Sequence, residues 1–112
     1  MNNAGWALEE KESGIVVGSV ILKWLPDADR VPTKDMEVGW HMGREHWGKG
    51  FATEAGMRAA RYALDTLGQS VIYAVVRPGN ERSVRVTQRI GMRPVGTTNK
   101  YYGAELLLFE LR

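Results

Sequence analysis

The sequence predicts a mixed α+β fold: a mainly antiparallel, twisted sheet with one central parallel β-α-β unit and two helices, in the order β-β-β-α-β-α-β-β. Three observations carry this prediction. Apolar, β-branched stretches at residues 6–8 and 15–24 and an apolar/polar alternation over residues 36–43 read as strands. Residues 51–67 place Phe51, Ala55, Ala59, Ala63 and Leu67 at helical intervals. The run Val71-Ile72-Tyr73-Ala74-Val75-Val76 is continuously apolar and of strand length, which suits the centre of a sheet. Strand, helix and strand in succession form a right-handed parallel crossover.

Each element has a local cause. Trp6-Ala7-Leu8 and residues 15–24 are apolar and flank the polar turn Glu10-Lys11-Glu12-Ser13-Gly14, which makes a hairpin. Residues 26–35 hold Pro26, Pro32 and a concentration of charges, the composition of a surface loop. Met36, Val38, Trp40 and Met42 then alternate with Glu37, Gly39, His41 and Gly43, giving a strand with one apolar face. Gly39 in its middle is a candidate bulge. Gly68 ends the first helix, Asn80 caps a second that runs to about Ile90, and Gly91 stops it. Two strands follow, over residues 92–98 and 106–111.

At 112 residues, 44% apolar and 25% charged, the chain has the size and composition of one folded domain. It has no cysteine, which excludes disulfides, thiolate metal sites and a cysteine nucleophile, and fits a cytoplasmic protein. No apolar run approaches the roughly 20 residues of a membrane span, and Met1-Asn2-Asn3-Ala4 is not the start of a signal peptide. A net charge of +2 is too small to point to nucleic acid.

The run Glu45-His46-Trp47-Gly48-Lys49-Gly50-Phe51-Ala52-Thr53-Glu54-Ala55 carries the most chemistry. It joins a strand to a helix through two glycines, so several backbone N–H groups converge at the positive end of a helix dipole. That is a site for a phosphate or diphosphate. Residues 43–50 read G-x-x-x-x-G-K-G, one position from a nucleotide-binding P-loop, but Gly50 stands where the Ser or Thr that holds magnesium is required. The apolar strand at residues 71–76 runs into Arg77 and Pro78 rather than into an Asp, so nucleotide hydrolysis lacks its metal ligands.

Four motifs in register resemble the GNAT superfamily of acetyl-CoA-dependent N-acetyltransferases: Glu37-Val38-Gly39-Trp40, Trp47-Gly48-Lys49-Gly50-Phe51-Ala52-Thr53-Glu54-Ala55, Asn80-Glu81-Arg82-Ser83-Val84-Arg85-Val86 and Arg89-Ile90-Gly91-Met92. Within it they are similar to the branch that acetylates the N-termini of ribosomal proteins, and the likeness runs from Ala4 to Leu111. The resemblance implies acetyl-CoA as co-substrate, no metal, and a diphosphate held on the backbone of Trp47, Gly48, Lys49, Gly50, Ala52 and Thr53. It implies a gap between the strands of Trp40 and Val75 for pantetheine, pairing with backbone near His41 and Met42, and Asn80 and Ser83 beside it. The acceptor would be an amine, on a peptide N-terminus or a small molecule. Family members usually open with a strand and two helices, so the resemblance also implies an N-terminally shortened domain, with roughly 50 residues of a typical domain absent. Its open sheet edge favours a homodimer.

Glu45 departs from the family pattern, which often carries Gln or Arg there; a carboxylate repels diphosphate, so backbone dipoles must carry the binding and Glu45 must face water. Acetyl transfer to an amine needs a base, and Glu37, on an apolar strand where burial raises its pKa, is the first candidate. His41 lies on the same strand face if no bulge intervenes, roughly 13 Å away; His46 sits in the loop itself. Asn80 and Ser83 have the spacing of a capped helix start, and the resemblance adds Ser83 as a donor to the leaving thiolate. The tyrosine acid of other relatives falls at Thr87, so that role does not transfer. Arg82, Arg85, Arg89 and Arg93 form a basic stripe open to solvent or to a phosphate, and Tyr101 and Tyr102 stand between acceptor pocket and core. Beside catalysis stands a second class of function, a non-catalytic module that binds acyl-CoA or a partner.

Overall fold

The computed structural model describes residues 3–112; Met1 and Asn2, with which the N-terminal tetrapeptide begins, lie outside the described residues. A six-stranded sheet carries two helices. In chain order the elements are β1 (Ala4–Glu9), β2 (Val16–Pro26), β3 (Pro32–Met42), α1 (Phe51–Asp65), β4 (Ile72–Val76), α2 (Glu81–Ile90), β5 (Arg93–Thr98) and β6 (Leu106–Leu111). The sheet order is β1-β2-β3-β4-β6-β5. All neighbours are antiparallel except β3 and β4, as the crossover through α1 requires. Among the described residues no helix is long and apolar enough to cross a membrane.

Strand alternation divides the side chains between two faces. Val20 and Leu22 of β2, Met36 and Val38 of β3, Ile72, Ala74 and Val76 of β4, and Phe109 of β6 form the core under the helices. Gly56, Ala59, Ala60 and Ala63 are the buried residues of α1, and their small size lets the helix lie close to the sheet. At Gly56 an added Cβ would stand 2.8 Å from Ile90 of α2 and 3.3 Å from the Trp40 ring, so glycine permits both contacts. On the opposite face Leu25, Tyr101 and Leu106 form a smaller cluster with Tyr73, Val75 and Leu108.

Two expectations are corrected. β3 begins at Pro32, inside what reads as loop, because the turn is only residues 27–31. The Asp27 carboxylate accepts from the backbone N–H of Asp29 and Val31, at 2.8 and 3.0 Å, and folds the chain back tightly enough for Pro26 to pair with Pro32. The second correction concerns Gly39. It does not bulge: it pairs with Ile21 in unbroken register from Trp24↔Met36 to Gly18↔Met42. A Cβ there would lie 3.1 Å from Ile21 Cγ1, so the glycine accommodates the Ile21 side chain instead.

The sheet opens for another reason. β3 and β4 share a single paired position, Glu37↔Tyr73. Beyond it β3 stays with β2 up to Met42, while β4 stays with β6 along its whole length. Two twisted antiparallel ribbons therefore diverge from one weak parallel junction, leaving a wedge between Trp40 and Val75.

Candidate active site

The strand-to-helix connection builds the first half of the site. A short 3₁₀ turn, Arg44–His46, leads from β3 into the glycine loop. Gly48 and Gly50 have φ of 79° and 81°, conformations in which side chains are strained, and at neither would a Cβ meet another protein atom within 4 Å. The loop is thus shaped by its glycines and open on its outer side. Gly50 is the N-cap of α1 and supplies no side-chain oxygen, so the first N–H groups of the helix stay free to face an anion.

Beside this loop is a cavity of about 260 Å³, bounded by Met42, Trp47, Gly48, Gly50, Ala52 and Thr53 from the loop and helix. Arg82, Arg85 and Arg89 of α2 form its other wall. The predicted basic stripe is therefore divided by the fold: three arginines face the loop, and Arg93, on β5, pairs with Glu110 instead. The Trp47 ring lies 3.3 Å from the Arg82 guanidinium and 5.5 Å from that of Arg44, and its Nε1–H donates to the Met42 carbonyl at 3.2 Å. Trp47 thereby fastens the loop to both β3 and α2. The Glu45 side chain is 78% exposed, as the repulsion argument requires. Lys49 is exposed; His46 is packed against Phe51, with its Nδ1 buried and without a hydrogen-bond partner among the described residues.

The fold narrows which backbone can serve the wedge. The Gly43 N–H donates to Val17 O, so by strand alternation the peptide groups of His41 point toward β2, and those of Trp40 and Met42 toward the wedge. The expectation for His41 backbone is therefore corrected: it is held in the ladder. Of Met42 only the N–H is available, since Trp47 occupies the carbonyl.

The second half of the site lies on the opposite face of the sheet. A cavity of about 450 Å³ is lined by Ser19, Ile21 and Lys23 of β2, by Glu37, Gly39 and His41 of β3, and by Val75, Arg77, Arg30 and Tyr102 around them. The regular register puts Glu37 and His41 on the same face, as alternation predicts. Glu37 is buried, accepts a hydrogen bond from the Tyr102 hydroxyl and lies 3.5 Å from Lys23 Nζ. Burial pushes its carboxyl above the ordinary glutamate value, and the Tyr102 and Lys23 contacts only partly offset this. Tyr102 sits at φ 60° beside Gly103 at φ 68°, and the Ala104 N–H closes the turn on the Tyr101 carbonyl at 3.3 Å. Two successive left-handed residues at the turn centre carry the Tyr102 hydroxyl to Glu37. Its neighbour Tyr101 is buried and donates to Asp35 at 2.6 Å. Of the two candidate tyrosines, one lines the pocket and the other belongs to the core.

Asn80 and Ser83 hold the positions their spacing predicts: the Asn80 carboxamide oxygen accepts from the Ser83 backbone N–H at 3.3 Å, leaving the Ser83 hydroxyl uncommitted to the cap. Thr87 is fully buried and its hydroxyl donates to the Val84 carbonyl at 2.6 Å. Lys23, Arg30 and Arg77 were not singled out by motif. Lys23 could have been found from the hairpin register, which sets it opposite Glu37; Arg30 lies in the 27–31 turn and Arg77 just past β4, where no periodicity signals a direction.

The model of the "Acetyltransferase (GNAT) domain" family matches residues 1–93. The chain belongs to this family. It is 32% identical over 96 residues to the uncharacterised protein YkkB of Bacillus subtilis, covering 86% of this chain and 54% of that protein. It is 30% identical over 96 residues to the uncharacterised N-acetyltransferase YoaA of the same organism, covering 86% of this chain and 52% of YoaA. The chain thus spans about half the length of these relatives. Among solved structures, the acetyltransferase from Agrobacterium tumefaciens superposes with a TM-score of 0.81 over 98% of this chain and 61% of its own, at 23% identity, a likeness of fold.

Proposed function

We propose that the chain transfers an acetyl group from acetyl-CoA to a primary amine by direct attack in a ternary complex. The observation that carries this reading is the pair of cavities on either side of one sheet wedge. One has an open glycine loop, a helix N-terminus and three arginines; the other has a buried carboxylate of raised pKa. The donor set of the first fits a diphosphate: backbone N–H groups at Gly48, Gly50 and Ala52, the free first turn of α1, and guanidinium groups that pair with phosphate oxygens. Acetyl-CoA, as co-substrate, supplies the activated acyl group.

The protein residues then have separate tasks. The Met42 N–H and the Trp40 peptide face the wedge and can align an extended amide-bearing arm as an added strand would. Glu37 removes a proton from the incoming ammonium, directly or through water, leaving the nitrogen lone pair to form the C–N bond. As the C–S bond breaks, the Ser83 hydroxyl, in the first turn of α2 and uncommitted to its cap, returns a proton to the thiolate. Holding the two reactants together contributes much of the rate by itself. The exposed edge strands β1 and β5 support a homodimer, and a cytoplasmic acetyl-CoA pool suits a chain without cysteines.

The test is to mix the chain with acetyl-CoA and a panel of amines, including peptide N-termini, and follow free thiol and acetylated product together. Product that forms in step with thiol supports the proposal. The rival reading is a module that binds acyl-CoA without reaction. Thermal stabilisation by coenzyme A with no product from any amine would establish that rival. Stabilisation by magnesium-ATP and not by coenzyme A would reject both.

A further inference from the structure

The charges around Glu37 are not balanced. Lys23 faces Glu37 at 3.5 Å and answers its charge. Arg30 and Arg77 line the same cavity, and among the described residues neither forms an ion pair. Arg30 is held there at a cost in backbone freedom. Its φ is 64°, a left-handed conformation uncommon for a side-chain-bearing residue, fixed by its own N–H donating to the Asp27 carbonyl at 3.1 Å. The Asp27 carboxylate locks the same turn from the other side through the N–H of Asp29 and Val31. A rigid turn therefore delivers one guanidinium to the cavity rim, and the end of β4 delivers the other.

We infer that the amine acceptor is a small molecule that also carries a carboxylate, an amino-acid-like zwitterion, whose carboxylate is received by Arg30 and Arg77 while its amine is presented to Glu37. The inference rests on the acetyl-transfer reading of this site and narrows its substrate. Two guanidinium groups without protein anions match a carboxylate, which each can grip with two parallel hydrogen bonds. The same groups repel a polyamine, whose second positive charge would enter a cavity already holding Lys23, Arg30 and Arg77. Selection thus comes from attraction at one end of the acceptor and repulsion of its competitors.

The experiment compares matched acceptors in the thiol-release assay: amino acids, the corresponding amino-acid amides, spermidine, and a peptide with a free N-terminus and an amidated C-terminus. Amino acids are expected to exceed their amides by about tenfold or more in kcat/KM, the discrimination that one charge-assisted contact supplies. Arg30→Gln and Arg77→Gln should each lower kcat/KM for the amino acid more than for its amide, shrinking the preference for the acid, while KM for acetyl-CoA stays in place. Calorimetry of the N-acetylated amino acid with the chain should show binding that either substitution weakens. Amides, spermidine or the amidated peptide equal to or better than amino acids would overturn the inference and leave the acetyl-transfer reading intact. No thiol release with any acceptor, together with no stabilisation by coenzyme A, would remove that underlying reading instead. The comparison between acid and amide uses the unaltered chain, so a variant that fails to fold does not shield the inference.

Discussion

Glu37→Gln separates catalysis from structure better than any other single change. The side chain is 6% exposed, and glutamine keeps its shape and an oxygen that can still accept from Tyr102. It loses the proton-accepting charge and the attraction to Lys23. If Glu37 is the base, kcat should fall by about 10²–10⁴-fold, which is about 3–5 kcal/mol of transition-state stabilisation. KM for acetyl-CoA should not move, because Glu37 lines the cavity opposite the glycine loop. Stability should not fall either, and the sign follows from linkage. The folded chain holds this proton more tightly than the unfolded chain does, so the stability it contributes is present below the ordinary value of 4.5. That contribution is lost as pH rises through the raised value, and at neutral pH the ionised carboxylate is a net cost that glutamine removes. Steady-state kinetics across pH, with thermal melts in parallel, make the check: the acid limb of the wild-type rate profile should vanish in the variant. A kcat within about threefold of wild type, with the acid limb intact, would remove Glu37 from the mechanism.

Further outcomes follow from the same geometry. Tyr102→Phe deletes a hydroxyl that favours the ionised carboxylate, so the acid limb of kcat/KM should move to higher pH with no change in acetyl-CoA binding; an unmoved limb would mean that Tyr102 does not tune Glu37. Asn80→Ala should destabilise by about 0.5–2 kcal/mol in denaturant titration by removing the α2 cap. Ser83→Ala should be neutral in that titration, since the cap uses only the Ser83 backbone, so any loss of kcat reports the hydroxyl itself. Gly18→Ala places a Cβ 2.2 Å from the His41 carbonyl oxygen and 2.9 Å from the Met42 Cα. Because the obstruction is backbone, about 1–3 kcal/mol of stability or more should be lost, and a melt indistinguishable from wild type would contradict the close approach of β2 and β3.

Most of the scaffold was legible because its signals are local. Period-two alternation placed Met36, Val38, Trp40 and Met42 on one face and Glu37 and His41 on the other, and the register confirms the division. Asn80 and Gly91 marked the ends of α2 through capping chemistry that depends only on adjacent backbone, and β6 fell on the predicted residues; α1 instead stops at Asp65 with Thr66 as its C-cap, two residues before the expected Gly68. The start of β3 was not legible, because prolines and charges dominate residues 26–35 while the decisive Asp27 turn acts through four hydrogen bonds that composition does not display. Tyr102 and Arg30 share this difficulty. Each is delivered by a left-handed turn residue that is not glycine, and its target lies across the sheet. A side chain's destination after such a turn depends on the strand register on both sides, which a one-dimensional pattern holds only in part.

The wedge gives the strongest reason to connect the two cavities. A bulge at Gly39 would have opened the sheet by local distortion, and would also have rotated His41 off the face of Glu37. The structure opens it by topology. β3 belongs to the β1-β2-β3 ribbon, β4 to the β4-β6-β5 ribbon, and the two touch in register only at Glu37↔Tyr73. Glu37 therefore stands at the apex of the opening, on the last pair before the strands part. Its side chain points to the face without helices, while the peptides of Trp40 and Met42 line the gap just beyond it. A ligand anchored at the glycine loop on the helical face and extended along that gap is led toward the carboxylate without any further adjustment of the chain. The same junction makes the site sensitive at a distance. A change that weakens the single parallel pair, such as loss of the Tyr73 side chain from the Leu25–Tyr101–Leu106 cluster, would widen the wedge at its apex and reduce kcat more than coenzyme A affinity.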